Sequence, residues 1–264
     1  MSVVKLRLSM FGTLAVIISL STLFFTVVLS LFSSFSLISL AILVVCFNVF
    51  QWLISPYIID AMYGVQEISE HEHPRLHETV ENLSRKSGIK KPRLMLARIP
   101  IPNAFAYGSP IAGSRVAVTS GLLKRLENEE VEAVIGHELG HLKHKDVQVM
   151  MFVSILPALL YYIGFSIMLS SMYGRQRQES GGSALIGIVF MIFSWVLNIF
   201  ILYLSRLREY YADRHGVSIV DDGSRKLSEG LAKIVHTTKN MRRTQKKTQN
   251  LNALKALFIA DPDR

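Results

Sequence analysis

The chain has 264 residues, half of them apolar, with a formal net charge of +9 and a mean hydropathy of +0.33. That hydropathy excludes an ordinary water-soluble enzyme, and a single Cys excludes a disulfide framework. The excess of basic residues does not require a nucleic-acid partner, because their placement along the chain follows membrane topology.

Leu8 to Ile59 is a stretch of 52 residues without Asp, Glu, Lys or Arg. A helix needs roughly 20 apolar residues to cross the hydrocarbon core, so this block is long enough for two crossings. The first is predicted over Phe11–Phe32 and the second over Phe35–Ser55, with Ser33 and Ser34 as the turn. Lys5 and Arg7 precede an apolar run far longer than a cleavable signal of about 7–15 residues, so a retained anchor is expected. Cys46 falls in the second span, where a small apolar packing role is expected. Pro56 is placed to end that helix.

From His71 to Gly88, Leu76, Val80 and Leu83 recur at helical spacing before a Gly cap. His71, His73 and His77 open this surface helix without the carboxylate or Cys set of a second metal site. Strands are predicted at Arg93–Ile99, Asn103–Tyr107 and Arg115–Thr119, with a Gly/Pro/Ser turn at Gly108–Ser114 between the last two. A helix from about Glu127 carries Val131, Val134 and Ile135 on one side and leads to His137. The uncharged stretch of 28 residues from Val147 to Gly174 gives a third span, with Pro157 inside it. Tyr173–Ser183 reads as a polar loop, and Ala184–Ser205 as a fourth span running on as helix through Glu209 and Asp213. Leu227–Val235 suggests an amphipathic helix. Lys239–Lys247 reads as a solvated basic loop, with contact to anionic lipid head groups as the alternative.

With four crossings, 27 of the 29 basic residues fall on one side, which the positive-inside tendency assigns to the cytoplasm. The expected protein is a mainly α membrane protein: four transmembrane helices plus a cytoplasmic α+β domain with a small sheet. Its segments are 1–59 (two spans), 60–146 (cytoplasmic), 147–205 (spans three and four) and 206–264 (cytoplasmic).

The chemistry sits in His137-Glu138-Leu139-Gly140-His141. On a helix, positions i and i+4 share a face, so the two imidazoles can converge on one Zn²⁺ at about 2.0–2.1 Å. Glu138 lies beside them, placed to take a proton from water rather than to bind the ion. Gly140 leaves room beside the metal for a substrate or a neighbouring segment. His144 shares the face but stands about 10 Å along the axis from His137, too far to bind the same ion from a straight helix. Glu209, just past the fourth span, is the better third donor. Asp213, one turn on, could orient a ligating imidazole. Read without the His motif, this carboxylate pair is better explained as a surface ion-pair cluster with Arg206, Arg208 or Arg214.

These residues resemble the HtpX-type membrane metalloproteases, gluzincins related to the CAAX prenyl proteases. The resemblance covers the span arrangement, Asn103-Ala104-Phe105-Ala106, Gly121-Leu122-Leu123, His137 to Asp146, and Arg206 to Asp213. It implies that the cytoplasmic α+β domain is zincin-like, a zinc metalloendopeptidase with one Zn²⁺ per chain on His137, His141 and Glu209, and with Glu138 catalytic. It implies that Asn103, Ala104, Phe105 and Ala106 form an edge strand for an extended peptide. The implied role is a stress response at the cell membrane: hydrolysis of misfolded or damaged membrane proteins on the cytoplasmic side. The implied partners are the lipid bilayer and protein or peptide substrates; oligomeric state is left open. The family's usual continuation, a His-Pro segment followed by an Arg, has no counterpart before Arg264, so the chain is read as truncated there and no residue is assigned as oxyanion stabiliser. Rival expectations are a non-catalytic scaffold of the same fold and a prenyl-peptide protease, although four spans are few for the latter's chamber. A metal transporter is disfavoured, since Asn48, Gln51 and Asn198 are the only amides well inside the spans.

Overall fold

The structure, a computed structural model, describes residues 37–173 and 180–244; the expected first span lies outside them. In chain order the elements are α1 (Leu37–Tyr63), β1 (Val65–Glu67), α2 (Pro74–Ser87), β2 (Arg93–Ala97), β3 (Ala104–Ser109), β4 (Gly113–Thr119), α3 (Ser120–Arg125), α4 (Asn128–Lys143), α5 (Asp146–Tyr173), α6 (Ser180–Ile219) and α7 (Gly223–Thr244). Three helices among the described residues are long and apolar enough to cross a membrane, at Ile42–Tyr63, Asp146–Ser171 and Gly182–Ile219. The chain forms two compact units, one of Met1–Gln51 with Gln148–Arg206 and one of Trp52–Val147 with Leu207–Arg264.

In the first unit, α5 and α6 meet at glycines. A Cβ on Gly164 would lie 2.5 Å from the Gly187 carbonyl oxygen, and one on Gly187 equally close to that of Gly164. Small residues let apolar helices approach this closely, where dispersion contacts replace the absent hydrophobic drive. The Ser194 hydroxyl donates to the Pro157 carbonyl at 2.7 Å, an interhelical bond between buried groups. Val44 of α1 and Tyr162 of α5 form a small buried cluster. Cys46, expected to pack, is instead exposed on α1.

The second unit is built on a four-stranded sheet in the order β1-β2-β4-β3. Its central pair, β2 and β4, is parallel, and both outer pairings are antiparallel. β1 is a strand of three residues, too short for its alternation to be read from sequence. Val80, Leu83, Leu94, Val116, Val118, Leu122, Val134 and Leu139 are buried in the main core. The sheet's other face holds Met95, Phe105, Tyr107 and Ala117 against Ile59 and Tyr63 of α1.

Three boundaries differ from expectation for local reasons. Pro56 lies inside α1, which continues to Tyr63. Proline leaves the Trp52 carbonyl without its helical donor, and the Ser55 hydroxyl donates to it instead at 3.0 Å. The helix ends where Gly64 takes φ +57. The expected turn at Gly108–Ser114 is mostly strand, since Ser109 pairs with Gly113. Lys239 to Thr244, expected in a loop, belongs to α7.

Candidate metal centre

α4 carries the His/Glu motif, and its start is fixed by a capping box. The Glu127 side chain accepts from the backbone of Glu130, and Glu130 accepts from the Glu127 amide at 2.9 Å. Lys233 of α7, 2.6 Å from Glu130, neutralises this buried carboxylate. The buried apolar side of α4, through Val131, Val134, Ile135 and Leu139, turns His137 and Glu138 inward as well, so both are buried.

Gly136 and Gly140 bring α4 onto α6. A Cβ on Gly140 would lie 2.9 Å from the Cα of Ala212, and one on Gly216 would lie 2.9 Å from the His137 amide nitrogen. The room expected beside Gly140 is therefore filled by a neighbouring segment, the backbone of α6. At Gly140 and Gly216 no Cβ fits without moving a helix.

The crossing delivers Glu209 to the histidines. His137 Nε2 and His141 Nε2 are 3.2 Å apart. Glu209 Oε2 is 3.7 Å from the first and 3.8 Å from the second. Each imidazole has a carboxylate beside its other nitrogen. Asp213 Oδ1 is 2.8 Å from His137 Nδ1, and Asp146 Oδ2 is 2.6 Å from His141 Nδ1. These carboxylates place the ring proton on Nδ1, leaving both Nε2 atoms as lone-pair donors facing a third anionic donor. Three acceptors converging with no proton between them repel unless a cation lies among them. Around a tetrahedral ion with bonds of about 2.1 Å, neighbouring donors stand about 3.4 Å apart, so the triangle fits Zn²⁺.

The electrostatics agree with that reading. Burial opposes charge on His137, but the hydrogen bond to Asp213 and the charges of Glu138, Asp213 and Glu209 outweigh it and raise its pKa. Burial raises the pKa of Glu138. The charges on His137 and His141, together with a hydrogen bond from the backbone of Ala106, lower it by less. One ligand atom each from His137, Glu138 and His141 lies within 4.8 Å of the others.

Sequence alone assigns no role to Asp146 or Lys145 near this centre. Asp146 holds His141, and Arg208 Nε forms an ion pair with the same Asp146 oxygen at 3.1 Å. Lys145 bends the chain between α4 and α5 with φ +55, a conformation that nothing in its side chain announces.

Of the four residues expected to bind substrate, the strand separates two from two. The Asn103 amide donates to the Thr119 hydroxyl and its carbonyl accepts from the Thr119 amide, both at 2.9 Å. In an antiparallel pair hydrogen-bonded and non-bonded positions alternate, so Asn103 and Phe105 direct their peptide groups to β4. Ala104 and Ala106 turn theirs to the edge, where the Ala106 amide meets Glu138. The other histidines stay apart from the centre. His144 caps α4, 5.9 Å ring to ring from His215, and His77 bonds the Ile68 carbonyl at 2.9 Å.

Residues 70–262 match peptidase family M48. A Protease HtpX homolog of Thermoplasma acidophilum is 39% identical over 222 residues, which are 82% of this chain and 69% of that protein. Protease HtpX homolog 2 of Saccharolobus solfataricus is 40% identical over 205 residues, 75% of this chain and 63% of that one. The crystal structure of S. mikatae Ste24p superposes with a TM-score of 0.60 at 21% identity, covering 90% of this chain and 61% of that chain, a likeness of fold. With its apolar helices long enough to cross a membrane, the chain belongs to peptidase family M48 and is a membrane metalloprotease of the HtpX type.

Proposed function

We propose that the protein is a zinc-dependent endopeptidase whose ion is held by His137, His141 and Glu209. The observation that carries this reading is the triangle of two Nε2 atoms and one carboxylate oxygen, with sides of 3.2, 3.7 and 3.8 Å. Zinc at that position supplies a Lewis acid for a peptide carbonyl and makes water more acidic. Asp213 and Asp146 hold the two imidazoles in the tautomer that presents Nε2. Glu138 takes the proton of the attacking water and passes it to the leaving amine. Its raised pKa suits both halves of that transfer, since a carboxyl poised nearer neutrality gives the proton back more readily.

The substrate lies extended along β3, pairing its backbone with the edge groups of Ala104 and the carbonyl of Ala106, a mode that depends little on side-chain sequence. Such tolerance suits misfolded or damaged membrane proteins as substrates. The centre faces the cytoplasm, a side supported by the clustering of basic residues outside the apolar stretches. Casein cleavage by the purified protein in detergent tests the hydrolytic reading. Cleavage should stop with a chelator, return with one equivalent of Zn²⁺, and be absent in Glu138→Gln that still binds zinc. Cleavage that persists after complete metal removal would sink it.

A further inference from the structure

β3 is backed along its length by α1. Phe105, Tyr107 and Ser109 alternate with the edge-facing residues, and each meets a successive point on that helix. Phe105 packs edge-on to Tyr63, with ring centroids 6.4 Å apart. The Tyr107 hydroxyl donates to Asp60 Oδ1 at 2.6 Å. The Ser109 hydroxyl donates to the Leu53 carbonyl at 3.1 Å.

Asp60 is the hub of this contact. Its second oxygen takes a hydrogen bond from Nη1 of Arg115, a buried residue on β4. The Arg115 guanidinium lies between two rings, 5.4 Å from Tyr57 and 5.8 Å from Tyr107. Burial and the hydrogen bond to Asp60 both raise the Tyr107 pKa, so the phenol stays a proton donor throughout the working range of an enzyme. One carboxylate thus grips the edge strand and its neighbour at directly paired positions, Tyr107 opposite Arg115. A hydrogen bond to a charged acceptor is roughly twice as strong as a neutral one, and a half-buried carboxylate with two donors has little freedom to slide.

Asp60 follows 52 uncharged residues, in a helix whose composition suits a membrane. A carboxylate there is costly unless it serves something. We infer that Asp60, through Tyr107, is a positioning residue for substrate: it fixes the height of β3 so that the edge groups of Ala104 and the carbonyl of Ala106 meet an extended peptide in register with Glu138. This rests on the proposal that substrate lies along β3. It adds that a helix built to cross the membrane sets how well peptide binds at the centre.

The test uses the full-length, zinc-loaded protein in detergent with a pair of quenched-fluorescent peptides, one ordinary and one N-methylated at backbone amides away from the scissile bond. In the wild type, N-methylation should raise KM, because strand pairing loses its donors. Tyr107→Phe removes only the hydroxyl that links β3 to Asp60. It should raise KM for the ordinary peptide about 3- to 10-fold, the worth of one hydrogen bond, while kcat stays within about twofold. It should also shrink the penalty for N-methylation. Asp60→Asn should move KM in the same direction, and melting temperatures report whether each variant is folded. If N-methylation costs the wild type nothing, the strand-addition reading fails and the inference falls with it. If N-methylation is costly but Tyr107→Phe leaves KM unchanged, or lowers kcat in place of raising KM, strand addition stands and the positioning role of Asp60 is overturned.

Discussion

Asp213 Oδ1 stands 2.8 Å from His137 Nδ1, so the residue one helical turn beyond Glu209 holds the imidazole that faces Glu209. On the proposed ligand set, one face of α6 would supply both a donor to the ion and the carboxylate beside another donor's ring. Asp213→Ala should weaken zinc binding about 10- to 100-fold with the fold retained. Competition with a chromophoric chelator measures this; unchanged affinity would remove Asp213 from the centre.

Asp146 performs the same service for His141 but is shared with Arg208. Asp146→Ala should weaken zinc binding by about the same factor as Asp213→Ala. Arg208→Ala should weaken it less, because His141 keeps its carboxylate and loses only that group's second partner. If Arg208→Ala proved the more damaging of the two, the guanidinium would have a direct role at the centre.

Much of this centre is legible in sequence, and the gaps have physical reasons. His137, Glu138 and His141 are neighbours on one helix, so their geometry follows from 3.6 residues per turn. Glu209 lies 72 positions beyond His137; its place just past the fourth span makes it the better donor, and the resemblance raises it above the alternative of a surface ion-pair cluster. Asp146 escaped notice because its approach to His141 depends on the bend at Lys145, which no Gly marks. Pro56 reads as a terminator in sequence because the rescue of the Trp52 carbonyl depends on the rotamer of Ser55, which sequence does not encode locally. Asp60 was read only as the end of an uncharged run, since its partners are more than 45 residues away on two strands.

Glu138→Gln separates catalysis from stability. Burial raises the Glu138 pKa, so in metal-free protein the contribution of this carboxyl to stability is full below the ordinary carboxylate range and is lost as pH rises through the raised value. The glutamine carries no charge and escapes that loss. Chelated Glu138→Gln should melt above chelated wild type near pH 8, and the two should converge near about pH 4. Parallel melting curves across that range would mean that the buried carboxyl is not destabilised when ionised.

Gly140→Ala inserts a methyl group 2.9 Å from the Cα of Ala212. α4 and α6 must part to accept it, at a cost of about 1–3 kcal/mol. The displacement also carries Glu209 away from the histidines, so zinc affinity should fall along with melting temperature. A variant that lost stability but bound zinc normally would show that the centre tolerates separation of its helices.

The spacing of the donors along the chain has a consequence for biosynthesis. A nascent chain that has emerged only as far as α5 holds His137 and His141 but no carboxylate to complete the set. Glu209 arrives after the apolar stretches of α5 and α6 have been synthesised. On the proposed ligand set, the third donor joins the two histidines only after the described apolar helices have been made, so hydrolysis would begin only once they are in place.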